Sequence, residues 1–324
     1  MKRVLVTGGN KGIGLALVER LLAEREDTCV LLGARSKSKG DSARAALVAR
    51  TPGWGNRLEV VLIDTSSDAR CAVFPTVTSV ERSAHNSLSF SVLAAAEDVS
   101  KRFGAGSLYA CVNNAGVADA EPREIVDVNL YGVKRVSDAF VPLLARPGGR
   151  LVHISSGSGP MFVAALSPDR MPFFVNPSGT WGDIDAAAQS FLADADAALK
   201  GGDALAWAGV TAPGEGEVKY AAYGFSKAAL NVLTMQQARA WPEVLVTACS
   251  PGFIVTDLTG AMMARRGSTP EAAGALPPDK GTIAPWKLLF GDVQTGRYYG
   301  SDGLRSPLDK YRSPGSPEYN EEGV

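Results

Sequence analysis

The chain has 324 residues, 45% hydrophobic and 21% charged, with a formal net charge of -1. This composition can bury a sizeable core in one large domain or two small ones. The near-zero charge, with no long run of like charges, argues against nucleic acid or an anionic membrane as partner and favours a small, roughly neutral ligand.

No apolar run approaches the ~18 residues of a membrane span. The Met1-Lys2-Arg3 start runs into glycines and not into a signal peptide, so the cytosol is the expected compartment. Residues 3–6 form a short apolar run that predicts a strand, followed by Thr7-Gly8-Gly9-Asn10-Lys11-Gly12-Ile13-Gly14 and then a helical pattern over 15–23. Gly8, Gly12 and Gly14 permit a tight turn, and the helix N-terminus behind them offers free amides to a phosphate. That combination predicts a dinucleotide site, although the spacing differs from Gly-x-Gly-x-x-Gly.

A second strand over 29–34 ends in Ala34-Arg35-Ser36-Lys37. An acid at this point would bond a ribose 2′-hydroxyl. Here Arg35, with Lys11, offers cations to a 2′-phosphate and predicts NADP(H) over NAD. A helix over 42–50 and a third strand over 58–64 follow, with Asp64 at the strand tip placed to bond an adenine amino group. Residues 68–92 read as a surface excursion, and 92–103 as a helix. Further strands are expected at 108–113, 150–155 and 244–249.

Near-continuous apolar strands alternating with helices predict an α/β fold, a Rossmann-type doubly wound parallel sheet. We expect one domain over 1–300 with a large insertion at 157–222, amphipathic from 184 to 199 and loop-like from 211. An extended tail over 301–324 should follow it. The four cysteines, Cys29, Cys71, Cys111 and Cys249, are widely separated and read as reduced thiols. With only His85 and His153 present, no metal site is expected, and His153, on a buried strand, reads as a satisfied core histidine.

Tyr223 and Lys227 lie four apart on a helical pattern, so a phenol and an ammonium can share one face. A neighbouring cation favours the phenolate and would draw the tyrosine pKa down from ~10, making it a usable proton donor or acceptor.

Taken together, the glycine turn, Asn113-Asn114-Ala115-Gly116, Asn129, Ser155-Ser156, Tyr223-x3-Lys227 and Pro251-Gly252 with Thr256 resemble the classical short-chain dehydrogenases/reductases, in that family's order. The glycine loop, the Ala34-Arg35 pair and the insertion before Tyr223 look like the NADPH-dependent carbonyl reductases. The resemblance implies reduction of a ketone, aldehyde or quinone by NADPH. It makes Tyr223 the general acid and Lys227 its pKa-lowering partner and ribose ligand. Ser156, with Ser155 as fallback, would hold the substrate oxygen, and Asn129 would anchor a relay water. Gly8, Asn10, Lys11, Gly12, Ile13, Gly14, Arg35, Asp64, Asn113, Ala115, Gly116, Pro251 and Gly252 would line the cofactor. Thr256 would bond its carboxamide, cap a helix, or do both. Met161, Phe162, Phe173, Phe174 and Trp181 are candidate pocket walls or core. Where family members pair through the Tyr-bearing helix, this insertion would cover that face, so a monomer is expected. Oxidation of an alcohol, or NADP(H) sensing without turnover, are the alternatives.

Overall fold

The computed structural model describes residues 1–66, 92–202, 204–211, 213–264 and 267–320; nearly all of the expected 68–92 excursion lies outside them. Among the described residues, seven strands form one parallel sheet: β1 (Lys2–Val6), β2 (Thr28–Ala34), β3 (Leu58–Leu62), β4 (Leu108–Asn113), β5 (Gly149–Ile154), β8 (Val244–Cys249) and β9 (Arg297–Tyr299). Their order is β3-β2-β1-β4-β5-β8-β9. The chain thus starts in mid-sheet, winds out to one edge, then crosses back to build the other, as a doubly wound fold requires. Val4, Leu5, Val6, Val30, Leu31 and Leu32 are all essentially inaccessible, which explains why these strands read as apolar runs and not as alternating ones.

Helices α1 (Gly12–Glu24) and α2 (Lys37–Arg50) follow the first two strands. Ser36 caps α2 by accepting from the Lys39 amide, so this helix starts five residues earlier than its apolar pattern suggested. Leu17, Leu21 and Leu288 pack with Val4 and Val6 on one sheet face. On the other face, α3 (Val92–Phe103) and α5 (Gly132–Phe140) place Val99, Val136 and Phe140 against Leu5, Leu31 and Val246. Among the described residues, no helix is long and apolar enough to cross a membrane.

The insertion builds its own layer. It comprises α6 (Ser158–Ala164), α7 (Met171–Val175), α8 (Trp181–Leu199) and a small hairpin of β6 (Ala204–Leu205) and β7 (Val210–Thr211). Thr180 and Asp183 close a reciprocal capping box that fixes the start of α8. Ile184, Ala188, Phe191 and Leu192 then bury against Phe225 and Leu233 of the long helix α9 (Glu215–Ala240). Phe191 and Phe225 stack at 4.3 Å between ring centroids, a large apolar contribution with favourable ring geometry.

Two features correct the sequence reading. The stretch expected to be a loop before Tyr223 already belongs to α9 from Glu215 onward: Glu217 accepts from the Gly214 amide, and Lys219 pairs with Glu215 one turn back at 2.6 Å. And β9 was not anticipated at all. It is three residues long, too short for any periodicity to register. Beyond it, residues 300–320 fold back on the sheet edge, with Ser306 N donating to Tyr298 O at 3.0 Å and Tyr319 N to Arg305 O at 3.1 Å.

Candidate active site

The turn from β1 into α1 is built on close approach. Gly8 and Gly12 sit at φ +63° and +55°, conformations that side chains resist. A Cβ on Gly14 would lie 2.4 Å from Asn114 Nδ2 and 2.5 Å from Gly8 O. Asn114 locks this turn to the end of β4, its side-chain amide donating to Thr7 O at 2.8 Å and its backbone amide to Thr7 Oγ1 at 3.0 Å. At the start of α1, Lys11 makes no side-chain cap and the first turn holds no acid, so the leading amides face outward with a positive dipole end. In front of them is a groove of about 690 Å³, bounded by Gly8, Asn10, Gly12, Ile13, Arg35, Asp64, Ala115, Gly116 and Thr256.

Most of the expected cofactor residues meet here, with four refinements. Asn113 does not line the groove; its side chain turns under the sheet, and Asn114 lines it instead. Pro251 and Gly252 are not among the lining residues; Gly252 at φ +94° lets the chain turn off β8. Thr256 caps α10 (Asp257–Ala264), exchanging bonds with Thr259 while its side chain faces the groove. Lys11 is not a free cation: its Nζ meets Asp257 Oδ2 at 2.5 Å because the start of α10 lies across the groove mouth. Arg35 stands exposed on the same groove. The sequence reading missed Lys39. With Ser38 it lines a second hollow of about 370 Å³ that shares Asn10 with the groove. The late start assigned to α2 hid its position one turn from the strand end.

Tyr223, Ser156 and Lys227 come together at the sheet's carboxyl edge. The Ser156 hydroxyl lies near enough to the Tyr223 phenol to oppose the rise in its pKa, while Ser155 donates to the Lys227 carbonyl at 3.2 Å. The strand's alternation thus sends the two serines in different directions, and Ser156 is the one facing Tyr223. Lys227 is 5% exposed. Its Nζ donates to Ile154 O at 2.9 Å and lies 5.6 Å from the Tyr223 ring centre, and burial lowers its pKa to about 8. Asn129 sits in a π-helical turn, Asp127–Tyr131, between α4 (Pro122–Val126) and α5, a distortion common at functional sites. It accepts from Val117 N at 2.9 Å and donates to Ser226 Oγ at 3.1 Å. A Cβ on Gly116 would meet both Asn129 Oδ1 and Lys227 Nζ within 3.7 Å, so the two polar ends share one small space.

The expected direction of the tyrosine pKa is not what this geometry produces. Burial of the ring raises the Tyr223 pKa, and the nearby Ser156 hydroxyl opposes the rise. The Lys227 ammonium is turned toward a carbonyl and is itself weakened by burial. Tyr223 lines a second cavity of about 640 Å³, walled also by Ala118, Met161, Phe162, Tyr220 and Met262. Phe173, Phe174 and Trp181 belong to the core beneath α9 and not to this wall.

A profile for short chain dehydrogenases matches residues 87–168. Human carbonyl reductase (NADPH) 1 is 28% identical over 294 residues, which cover 85% of this chain and 91% of that protein. In fold, salutaridine reductase from Papaver somniferum superposes with a TM-score of 0.67 at 20% identity, covering 92% of this chain and 99% of its own. The NADPH-bound carbonyl reductase from chicken fatty liver gives 0.59 at 24%, covering 94% of each chain.

Beneath the site runs a buried polar chain. Asn113 Nδ2 donates to His153 Nδ1 at 3.1 Å and to Ser137 Oγ at 3.2 Å, and His153 Nε2 donates to Gln237 Oε1 at 2.9 Å. These bonds imply a neutral ring protonated at Nε2, and His153 is the satisfied core histidine expected. Burial pulls its pKa from 6.5 to about 4. As pH falls below 6.5, the unfolded chain takes up a proton that the folded chain refuses until about 4. The stability held by the neutral ring is therefore lost across that window, by at most about 3 kcal/mol. His153→Gln is expected to flatten the pH dependence of unfolding free energy between pH 6.5 and 4. Parallel acid-limb denaturation curves for variant and wild type would contradict this.

Proposed function

From the premise that the chain belongs to the short-chain dehydrogenases/reductases and stands close to their carbonyl reductases, as an NADP-dependent oxidoreductase, we propose that it reduces a carbonyl compound, a ketone, aldehyde or quinone. Tyr223 is the proton donor to oxygen. The observation that carries this reading is the Ser156–Tyr223 hydroxyl pair, with Tyr223 lining a largely apolar cavity.

The groove residues fit the cofactor. The glycine cradle leaves no room for a Cβ at Gly14, and the uncapped amides of α1 await an anion. When bound, NADPH supplies the hydride. Arg35 is the cation best placed for its 2′-phosphate, with Lys39 and Asn10 beside the same hollow and Lys11 committed to Asp257. Ala115 and Gly116 form the wall toward the ribose, and Thr256 offers its hydroxyl to the carboxamide.

In the second cavity, the Ser156 hydroxyl holds the substrate oxygen and steadies the negative charge that grows on it. Tyr223 then gives up its proton. An alkoxide is far more basic than a phenol, so a tyrosine whose burial keeps it protonated suits donation better than abstraction. Lys227 and Asn129, facing each other across Gly116, supply the route by which the phenol regains a proton. We propose further that α8, laid over α9, keeps the chain monomeric by covering the face through which relatives of this family pair.

Three outcomes are expected. Tyr223→Phe should lower kcat/KM for a panel of quinones and α-dicarbonyls by about a thousandfold, roughly 4 kcal/mol of transition-state stabilisation. Tight NADPH binding with no turnover of any carbonyl would instead favour a sensor. Arg35→Ala should raise the KM for NADPH by about tenfold or more, the value of a charge-assisted bond, and leave NADH kinetics alone; an equal effect on both cofactors would remove Arg35 from phosphate recognition. Light scattering after size exclusion should give the mass of one chain, 33.9 kDa, and a stable dimer would overturn the covering role of α8.

A further inference from the structure

The residue after Ser156 is gripped from the far end of the chain. Gly157 is buried, and a Cβ built on it would lie 2.7 Å from Tyr311 Cε2 and 3.1 Å from Cδ2. Its φ of -59° is open to any residue, so the tyrosine ring, not the backbone, is what demands glycine there. Gly157 N donates to Ser250 Oγ at 3.2 Å, the same oxygen that takes the Gly252 amide at 3.2 Å. Ser250 N in turn donates to Tyr299 O of β9 at 2.9 Å. The turn carrying Ser156 is therefore fixed on one side by the hydroxyl of Ser250 and on the other by the Cδ2–Cε2 edge of Tyr311.

Tyr311 is held in place by its neighbour. Arg312, whose side chain is only 7% exposed, pairs with Asp302 and donates to Ser306 Oγ at 2.9 Å and Ser316 O at 2.6 Å. Asp302 also accepts from the amides of Leu304 and Gly315. A guanidinium this well buried and satisfied on every side makes residues 302–316 a rigid unit. Tyr311 projects from it onto Gly157.

We infer that Tyr311 is a positioning residue of the active site: through Gly157 it sets the Ser156 hydroxyl opposite Tyr223, so the C-terminal segment belongs to the catalytic architecture. This rests on the reductase reading above. Only the ring meets Gly157, and an ångström of misplacement at a reacting group is enough to slow turnover by one or two orders of magnitude.

The test uses the full chain with Tyr311→Ala, Tyr311→Phe, Gly157→Ala and the Gly157→Ala/Tyr311→Ala pair. Tyr311→Ala should lower kcat about tenfold with the KM for NADPH unchanged, and Tyr311→Phe should restore it. Gly157→Ala should be impaired by collision with the ring, and the double variant should recover activity beyond the product of the two single effects. Hydrogen exchange of the amides at 155–161 should speed up by about tenfold or more in Tyr311→Ala. Unchanged kcat together with unchanged exchange, or strictly additive losses in the double variant, would overturn the inference. If Tyr223→Phe keeps full activity, or wild type turns over no carbonyl, the reductase reading fails. The exchange measurement then still decides whether Tyr311 holds the turn.

Discussion

A lysine ammonium with almost no contact with water is the constraint around which this protein is arranged. Removing such a charge from solvent costs several kcal/mol unless close partners repay it. Lys227 finds its partner in the Ile154 carbonyl at the end of β5, which ties the middle of α9 to the sheet. Bringing helix and strand that near requires small residues at each crossing. Gly159 lets α6 lie on the backbone of Lys227 and Ala228, and Gly224 accommodates Phe162. Gly116 leaves a space that Lys227 and Asn129 both face. The same crossings put the Tyr223 phenol against Ser156. Holding one buried cation in place thus fixes most of the site's geometry.

What the sequence could reveal follows from how local each signal is. The glycine turn, the strands buried on both faces and the spacing of Tyr223 to Lys227 are written in consecutive residues, and all are found where they were expected. The direction of Ser156 depends on which face of β5 meets α9. Strand alternation says only that Ser155 and Ser156 differ. The pairing of Lys11 with Asp257 is invisible to local sequence because the two lie 246 residues apart. Which of Asn113 and Asn114 faces the groove is likewise not local information, since adjacent residues at a strand end point to opposite faces. The sign of the Tyr223 shift turns on burial, which no helix spacing encodes. β9 escaped for a different reason: it is three residues long, and the segment after it is held by single polar residues such as Arg312 and Asp302 and by no apolar period.

The insertion shows how an added layer is made to fit. Its helix α8 carries its own capping box and lays an aromatic and aliphatic stripe on α9, so it needs no strand of the main sheet. Tyr131 bonds Asp185 at 2.5 Å and meets Trp181 edge-on, joining the layer to the π-helical turn that holds Asn129. The insertion and the π-helical turn are therefore mechanically continuous.

The polar chain through Asn113, His153 and Gln237 has a consequence for assembly as well as for acid stability. Parallel strands of Val, Leu and Ala offer little to distinguish one alignment from its neighbour. A slip of β5 by a single residue would turn the His153 imidazole into the opposite apolar layer and strand both ring nitrogens, along with the side chains of Asn113 and Gln237. Each orphaned group costs about 1 to 3 kcal/mol, enough to reject the misaligned sheet outright. His153 thus acts as a registration mark: it admits only the strand alignment that also delivers Ser156 to Tyr223.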